Sequence, residues 1–161
     1  MNARPSNAGA LAGALLLAVL AVLSSGCRTS VPMPPADFSG GGWQVRQGQA
    51  VWKPSQSRPE LAGELLFATR TNGDCFVQFD KVPFPLATAQ VTGDEWHIRF
   101  GAGKYAWHGR GEPPGRFVWF QLPRALASQP LAKHWKLERD GESWRLENRR
   151  TGESLEGSLT P

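Results

Sequence analysis

The chain has 161 residues, a formal net charge of +4, seven Trp, eight Phe and two Cys. That length allows one domain plus a leader, and two cysteines exclude a disulfide-stapled scaffold. The basic residues are dispersed, which argues against a nucleic-acid-binding face and leaves an excess compatible with anionic lipid headgroups.

Met1 to Ala8 carries a single cation, Arg4, and Ala10 to Leu23 is an unbroken run of small and apolar residues. Its length suits the apolar region of a signal peptide and falls short of the about 20 residues a membrane-spanning helix needs. The run ends in Leu23-Ser24-Ser25-Gly26-Cys27, which resembles a bacterial lipoprotein signal peptide, with Ser24 standing where that pattern usually has Leu. The resemblance implies cleavage after Gly26 and a diacylated Cys27 as the mature N-terminus. Arg28 after the cysteine implies the outer membrane of a two-membrane cell, with the domain facing the periplasm. Residues 1–26 are thus expected to be a signal peptide. Residues 27–42, broken by Pro32, Pro34, Pro35 and Gly40-Gly41-Gly42, are expected to be a lipidated N-terminus and flexible tether. Residues 43–161 are left for a folded domain. If Cys27 bears the lipid, Cys75 has no partner within the chain, and because it shares a strand face with Val77 and Phe79 a buried thiol is expected.

The domain reads as a succession of hairpins. A loop at Gln47-Gly48 would pair Trp43 with Trp52 and Val45 with Ala50. Asn72-Gly73 is the strongest short hairpin signal in the chain, and as a two-residue loop it sets Leu66 against Phe79 and Ala68 against Val77, with Phe67 and Phe76 on the other face. Pro83 and Pro85 make Val82 to Leu86 a corner or an edge. Gly93-Asp94 pairs Val91 with Trp96, Ala89 with Ile98 and Ala87 with Phe100. Arg116 to Phe120 is apolar on both faces, as in a strand covered on both sides or one facing a ligand cavity. Leu122, Ala125, Leu126 and Ala127 suit a short helix or an irregular cover within Pro123 to Leu131. Near the C-terminus, loops at Asp140-Gly141 and Thr151-Gly152 would place Leu137 opposite Trp144, Trp135 opposite Leu146 and Trp144 opposite Leu159. Both turns put the apolar side chains on one face, and a one-residue slip would expose them all.

The fold class expected is all-β, an antiparallel up-and-down curved sheet or incomplete barrel with little helix. Such a wealth of large aromatics fits either of two accounts. They pack a small core, or part of the aromatic wall lines a cavity for a lipid or another apolar ligand. Trp96, Ile98, Phe100, Tyr105, Trp107, Phe117 and Trp119 are the residues expected to line it. Little else suggests chemistry. His97, His108 and His134 lack the spacing of a metal site, no serine lies in a Gly-x-Ser-x-Gly elbow, and the segments Gly101 to Lys104 and Gly109 to Gly111 read as turns rather than phosphate loops. No cofactor, metal or catalytic residue is expected.

The lipobox, the Gly/Pro tether and the antiparallel run, with Lys81-Val82-Pro83-Phe84-Pro85-Leu86, Trp96-His97-Ile98-Arg99-Phe100 and Trp119-Phe120-Gln121-Leu122, look like the LolA/LolB-type lipoprotein-localisation fold. The resemblance implies an incomplete barrel whose apolar concave face, covered by short helices, receives lipoprotein acyl chains. This chain is shorter, and its sequence shows neither an N-terminal amphipathic helix nor clear cavity-plugging helices. The function expected is a non-enzymatic, lipid-anchored envelope protein that binds an acyl chain or another apolar ligand. The other reading is a lipid-anchored β domain that acts as a protein-interaction module, with every aromatic in the core.

Overall fold

In a computed structural model, residue 33, residues 35–101 and residues 105–160 are described. The expected signal peptide, the lipidated Cys27 and most of the proline-rich part of the tether lie outside them. Among the described residues the chain forms nine strands and one helix. The strands are β1 (Gln44–Lys53), β2 (Leu61–Thr69), β3 (Cys75–Lys81), β4 (Phe84–Thr92), β5 (Glu95–Phe100), β6 (Tyr105–Arg110), β7 (Trp135–Asp140), β8 (Ser143–Asn148) and β9 (Ser154–Thr160). The helix, α1, is Val118–Leu126 and lies between β6 and β7 in the chain.

All nine strands belong to one antiparallel sheet in the order β6-β5-β4-β3-β2-β1-β9-β8-β7. The first six form a simple meander. The chain then leaves the β6 edge, passes through α1, and builds β7, β8 and β9 as a second meander whose last strand pairs with β1. The sheet stays open, with β6 and β7 as its edges. It is curved. If it were flat, β1 and β5 would lie about 19 Å apart, yet the rings of Trp52 and Phe100 stack with centroids 5.9 Å apart. The compact unit 32–161 holds the nine strands, the helix and the hydrophobic core of the described residues.

The register defines an inner face. Across the first six strands Arg46, Phe67, Val77, Ala89, Ile98 and Trp107 form one inward row. Val118, Trp119, Phe120, Gln121, Leu122 and Ala125 of α1 are buried against this face. Trp119 is only 1% exposed and packs on Trp52 and Phe79, with centroids 5.1 and 5.5 Å away.

Several expectations are corrected. No loop forms at Gln47-Gly48, since β1 runs straight through it. A Cβ on Gly48 would lie 1.9 Å from the Ser158 carbonyl oxygen, so the glycine serves close approach of β1 and β9 rather than a turn. Ala50 and Trp52 still face inward, while Val45 faces out. At Asn72-Gly73 the loop is Thr71-Asn72-Gly73, with Gly73 at φ +95° and Arg70 and Asp74 joined across it. The third loop residue shifts the register by one, pairing Leu65 with Phe79 and Phe67 with Val77, and so exchanges the two faces of β2.

The C-terminal registers also differ, but by two residues, which leaves every side chain on its expected face. Leu137 pairs with Leu146, Trp135 with Asn148, and Trp144 with both Arg139 and Gly157. The first loop is Gly141-Glu142. The second is lengthened because the Asn148 side chain accepts hydrogen bonds from the Arg150 and Thr151 backbone N–H groups. The Gly93-Asp94 hairpin has the expected pairing throughout. Val82-Pro83 turns the chain between β3 and β4, while Pro85 lies inside β4 opposite Asp80, beside a register shift.

The largest correction is at Val118 to Phe120, which begins a helix rather than continuing a strand. A helix laid in a curved sheet is buried on more than one side, which reproduces the two-sided apolar pattern expected of a covered strand. Pro123, placed at the start of a cover, sits inside α1. Tertiary bonds hold the helix in place. The Trp135 indole N–H donates to the Gly115 carbonyl at 2.7 Å, the Ala132 N–H to Gln121 Oε1 at 2.9 Å, and Arg139 to the Ala125 and Leu126 carbonyls at 2.7 and 3.1 Å. A guanidinium at these last carbonyls also suits the negative end of the helix dipole.

Candidate functional site

All seven residues expected to line a cavity lie on the inner side of the sheet or on the helix and its lead-in, and most meet one another. Trp107 packs on Phe100 and Phe117 at 6.0 and 5.7 Å, Tyr105 stacks on Trp107 at 6.4 Å, and Trp96 meets Phe120 at 5.8 Å. Phe100 continues the series to Trp52 and thence to Trp119. The result is a packed aromatic ladder from the core to the β6 edge. Ile98 and Trp119 are fully buried, whereas Tyr105 and Trp107 remain 55% and 40% exposed.

The open space lies elsewhere on the same face. A recess of about 480 Å³ opens between the C-terminal half of α1 and strands β1 to β4. Phe67, Cys75, Val91, Phe120, Pro123 and Leu126 give it an apolar floor and roof. Arg46, Arg70 and Arg124 stand around it with Glu112 and Asp74. None of the seven expected residues lines it. The helix explains the miss, because its first turn packs Trp119 and Phe120 onto the aromatics of the sheet and the open space is left beside its C-terminal half. Val91 and Phe120 neighbour the expected set in pattern, but inward-facing Arg46 gives no sequence signal once a turn is placed at Gly48. A smaller recess of about 270 Å³ adjoins, sharing Arg46 and Leu126 and walled by Trp144 and Leu159.

A larger groove of about 830 Å³ runs over the outer face of β1, β2, β7, β8 and β9. The register turns Gln49, Glu64, Glu138, Arg145 and Glu156 toward it. Arg145 is salt-bridged to Glu156 and, at 3.6 Å, to Glu147. Charged walls make it the poorer host for an apolar ligand despite its size.

Two titratable groups are perturbed by burial. Desolvation pushes the Cys75 thiol up to about 12, which makes it an unreactive core thiol rather than a nucleophile. Desolvation also raises the Glu153 carboxyl to about 7, partly opposed by the Trp52 indole N–H, which donates to its Oε1 at 3.1 Å. His97 and His108 stack on the outer face with centroids 5.8 Å apart, and burial followed by the neighbouring imidazole lowers the His97 pKa. Among the described residues no group of three His, Cys, Asp or Glu side chains is placed to hold a metal ion. No protein-family model matches the chain, and no curated protein matches its sequence.

Proposed function

We propose that this is a non-enzymatic cell-envelope protein, held to the outer membrane by a lipid on Cys27, whose β domain binds an acyl chain. The observation that carries this reading is the recess of about 480 Å³ between α1 and the inner face, a volume within the usual range for small-molecule sites. Its apolar lining suits a hydrocarbon chain. A helix seated on the inner face of an open, curved sheet is also the arrangement that the LolA/LolB-type resemblance implies, so a place in lipoprotein localisation belongs to the proposal. Val82 and Phe84, 73% and 66% exposed at the tip between β3 and β4, would give the domain an apolar point of contact with a membrane.

One observation favours the protein-interaction reading. Among the described residues β6 is an edge strand of the sheet, and it carries exposed Trp107, as a surface for strand addition would. Mass spectrometry of protein purified from membranes separates the two. The acyl-binding reading expects a mature chain beginning at a diacylated Cys27, together with a non-covalent acyl lipid released in near-equal amount on denaturation. A chain with an unmodified Cys27 removes the anchor from the proposal. A lipidated chain that releases no acyl lipid leaves the interaction module.

A further inference from the structure

We infer that the ligand of the recess is an anionic single-chain amphiphile, a fatty carboxylate, whose head is held by Arg46; this rests on the acyl-binding reading above. Arg46 occupies an inward position of β1 in a row otherwise made of Phe67, Val77, Ala89, Ile98 and Trp107. An arginine turned to the apolar side of a sheet is costly unless its charge is matched. Its guanidinium lies 5.1 Å from the centroid of the Phe67 ring, and among the described residues no carboxylate pairs with it.

The carboxylates that line the recess are already engaged. Glu112 takes Arg124 at 2.6 Å. Asp74 accepts from the Asn72 amide at 2.9 Å and from the Gly93 N–H at 2.8 Å, and lies 4.0 Å from Arg70. Arg70 is turned to the other face, where its guanidinium stacks on Trp43 at 4.6 Å. The recess therefore pairs an apolar floor with a cation that meets the Phe67 ring but, among the described residues, no carboxylate. Arg139 makes the contrast. It also points inward, but its guanidinium is satisfied by the last carbonyls of α1. A carboxylate matches the planar fork of a guanidinium, and an alkyl chain attached to it would lie along Phe67, Val91 and Phe120.

Residues 32–161 are titrated calorimetrically with decanoate, decanol and decyltrimethylammonium, in the wild-type chain and in Arg46→Gln and Arg46→Lys. The wild-type protein should bind decanoate at least about tenfold more tightly than decanol, and the cation most weakly. Arg46→Gln should remove that preference while leaving decanol within about twofold, and Arg46→Lys should retain part of it. Circular dichroism of each variant confirms that the sheet is retained. Equal binding of acid and alcohol by the wild-type protein overturns head recognition and leaves acyl binding standing. A preference for the acid that survives Arg46→Gln overturns the role of Arg46. Failure of all three amphiphiles to bind overturns the acyl-binding reading, and this inference with it.

Discussion

Trp119→Ala is expected to destabilise the domain by about 3–5 kcal/mol, the range for truncating a large buried aromatic. Trp119 is 1% exposed and sits where α1 meets the sheet, packed on Trp52 and Phe79. Its removal opens a void between two layers that are each held by their own bonds, so neither can collapse fully into the space. The loss also reaches the recess. Phe120, the next residue, supplies part of the lining, and Phe117 joins the helix lead-in to Phe100 and Trp107. Lys136→Ala is the matched control. Lys136 faces outward on edge strand β7, paired among the described residues with Glu138, and its loss should change stability by less than about 0.5 kcal/mol. Urea unfolding of both variants measures the difference, and equal effects would mean that α1 does not bury Trp119.

Glu153→Gln should stabilise the protein above pH 7 by up to about 3 kcal/mol and have little effect below pH 4.5. Burial raises the carboxyl from 4.5 to about 7, so the folded protein holds this proton more tightly than the unfolded chain does. Its contribution is fully present below the unfolded value and is lost as pH rises through about 7, where the folded state must ionise a desolvated group. Glutamine keeps an oxygen that accepts the Trp52 indole N–H and cannot ionise. Unfolding free energies of the two proteins, measured from pH 4 to 8, should therefore diverge upward from pH 4.5. Parallel curves over that range would mean that Glu153 ionises as an exposed carboxyl does. His97 titrates in both proteins and cancels in the difference.

The faces of the sheet were more legible than its registers. Wherever the actual loop differed from the expected one by a shift of two in register, as on both sides of β8, the alternation of Trp and Leu still assigned inside and outside correctly. Where the difference was one, at Thr71-Asn72-Gly73, the faces of β2 were exchanged. A lone Asn-Gly pair does not reveal whether its loop has two residues or three. Gly48 misled for a different reason. Its requirement is the approach of Ser158 from β9, a strand more than a hundred residues away, and no local pattern carries that information. The two-sided apolar run at Phe117 to Phe120 correctly marked burial on more than one side but not helix, because over so few residues a buried strand and a buried helix have the same composition. The sequence assigned the aromatics of the ladder to a cavity wall, whereas most of them pack on one another. The recess did not follow from the sequence, because its position depends on where α1 lies and on an arginine that faces inward only in an uninterrupted β1.

Calorimetric titration of residues 32–161 with decanoate in two variants tests the acyl site most directly. Val91→Trp places an indole in the recess beneath α1, and Val51→Trp places one on the outer face beside the larger polar groove. The account predicts saturable one-to-one binding by the wild-type protein, unchanged in Val51→Trp and lost in Val91→Trp, with the same circular dichroism in all three. Binding that survives Val91→Trp, or is lost only in Val51→Trp, would contradict it.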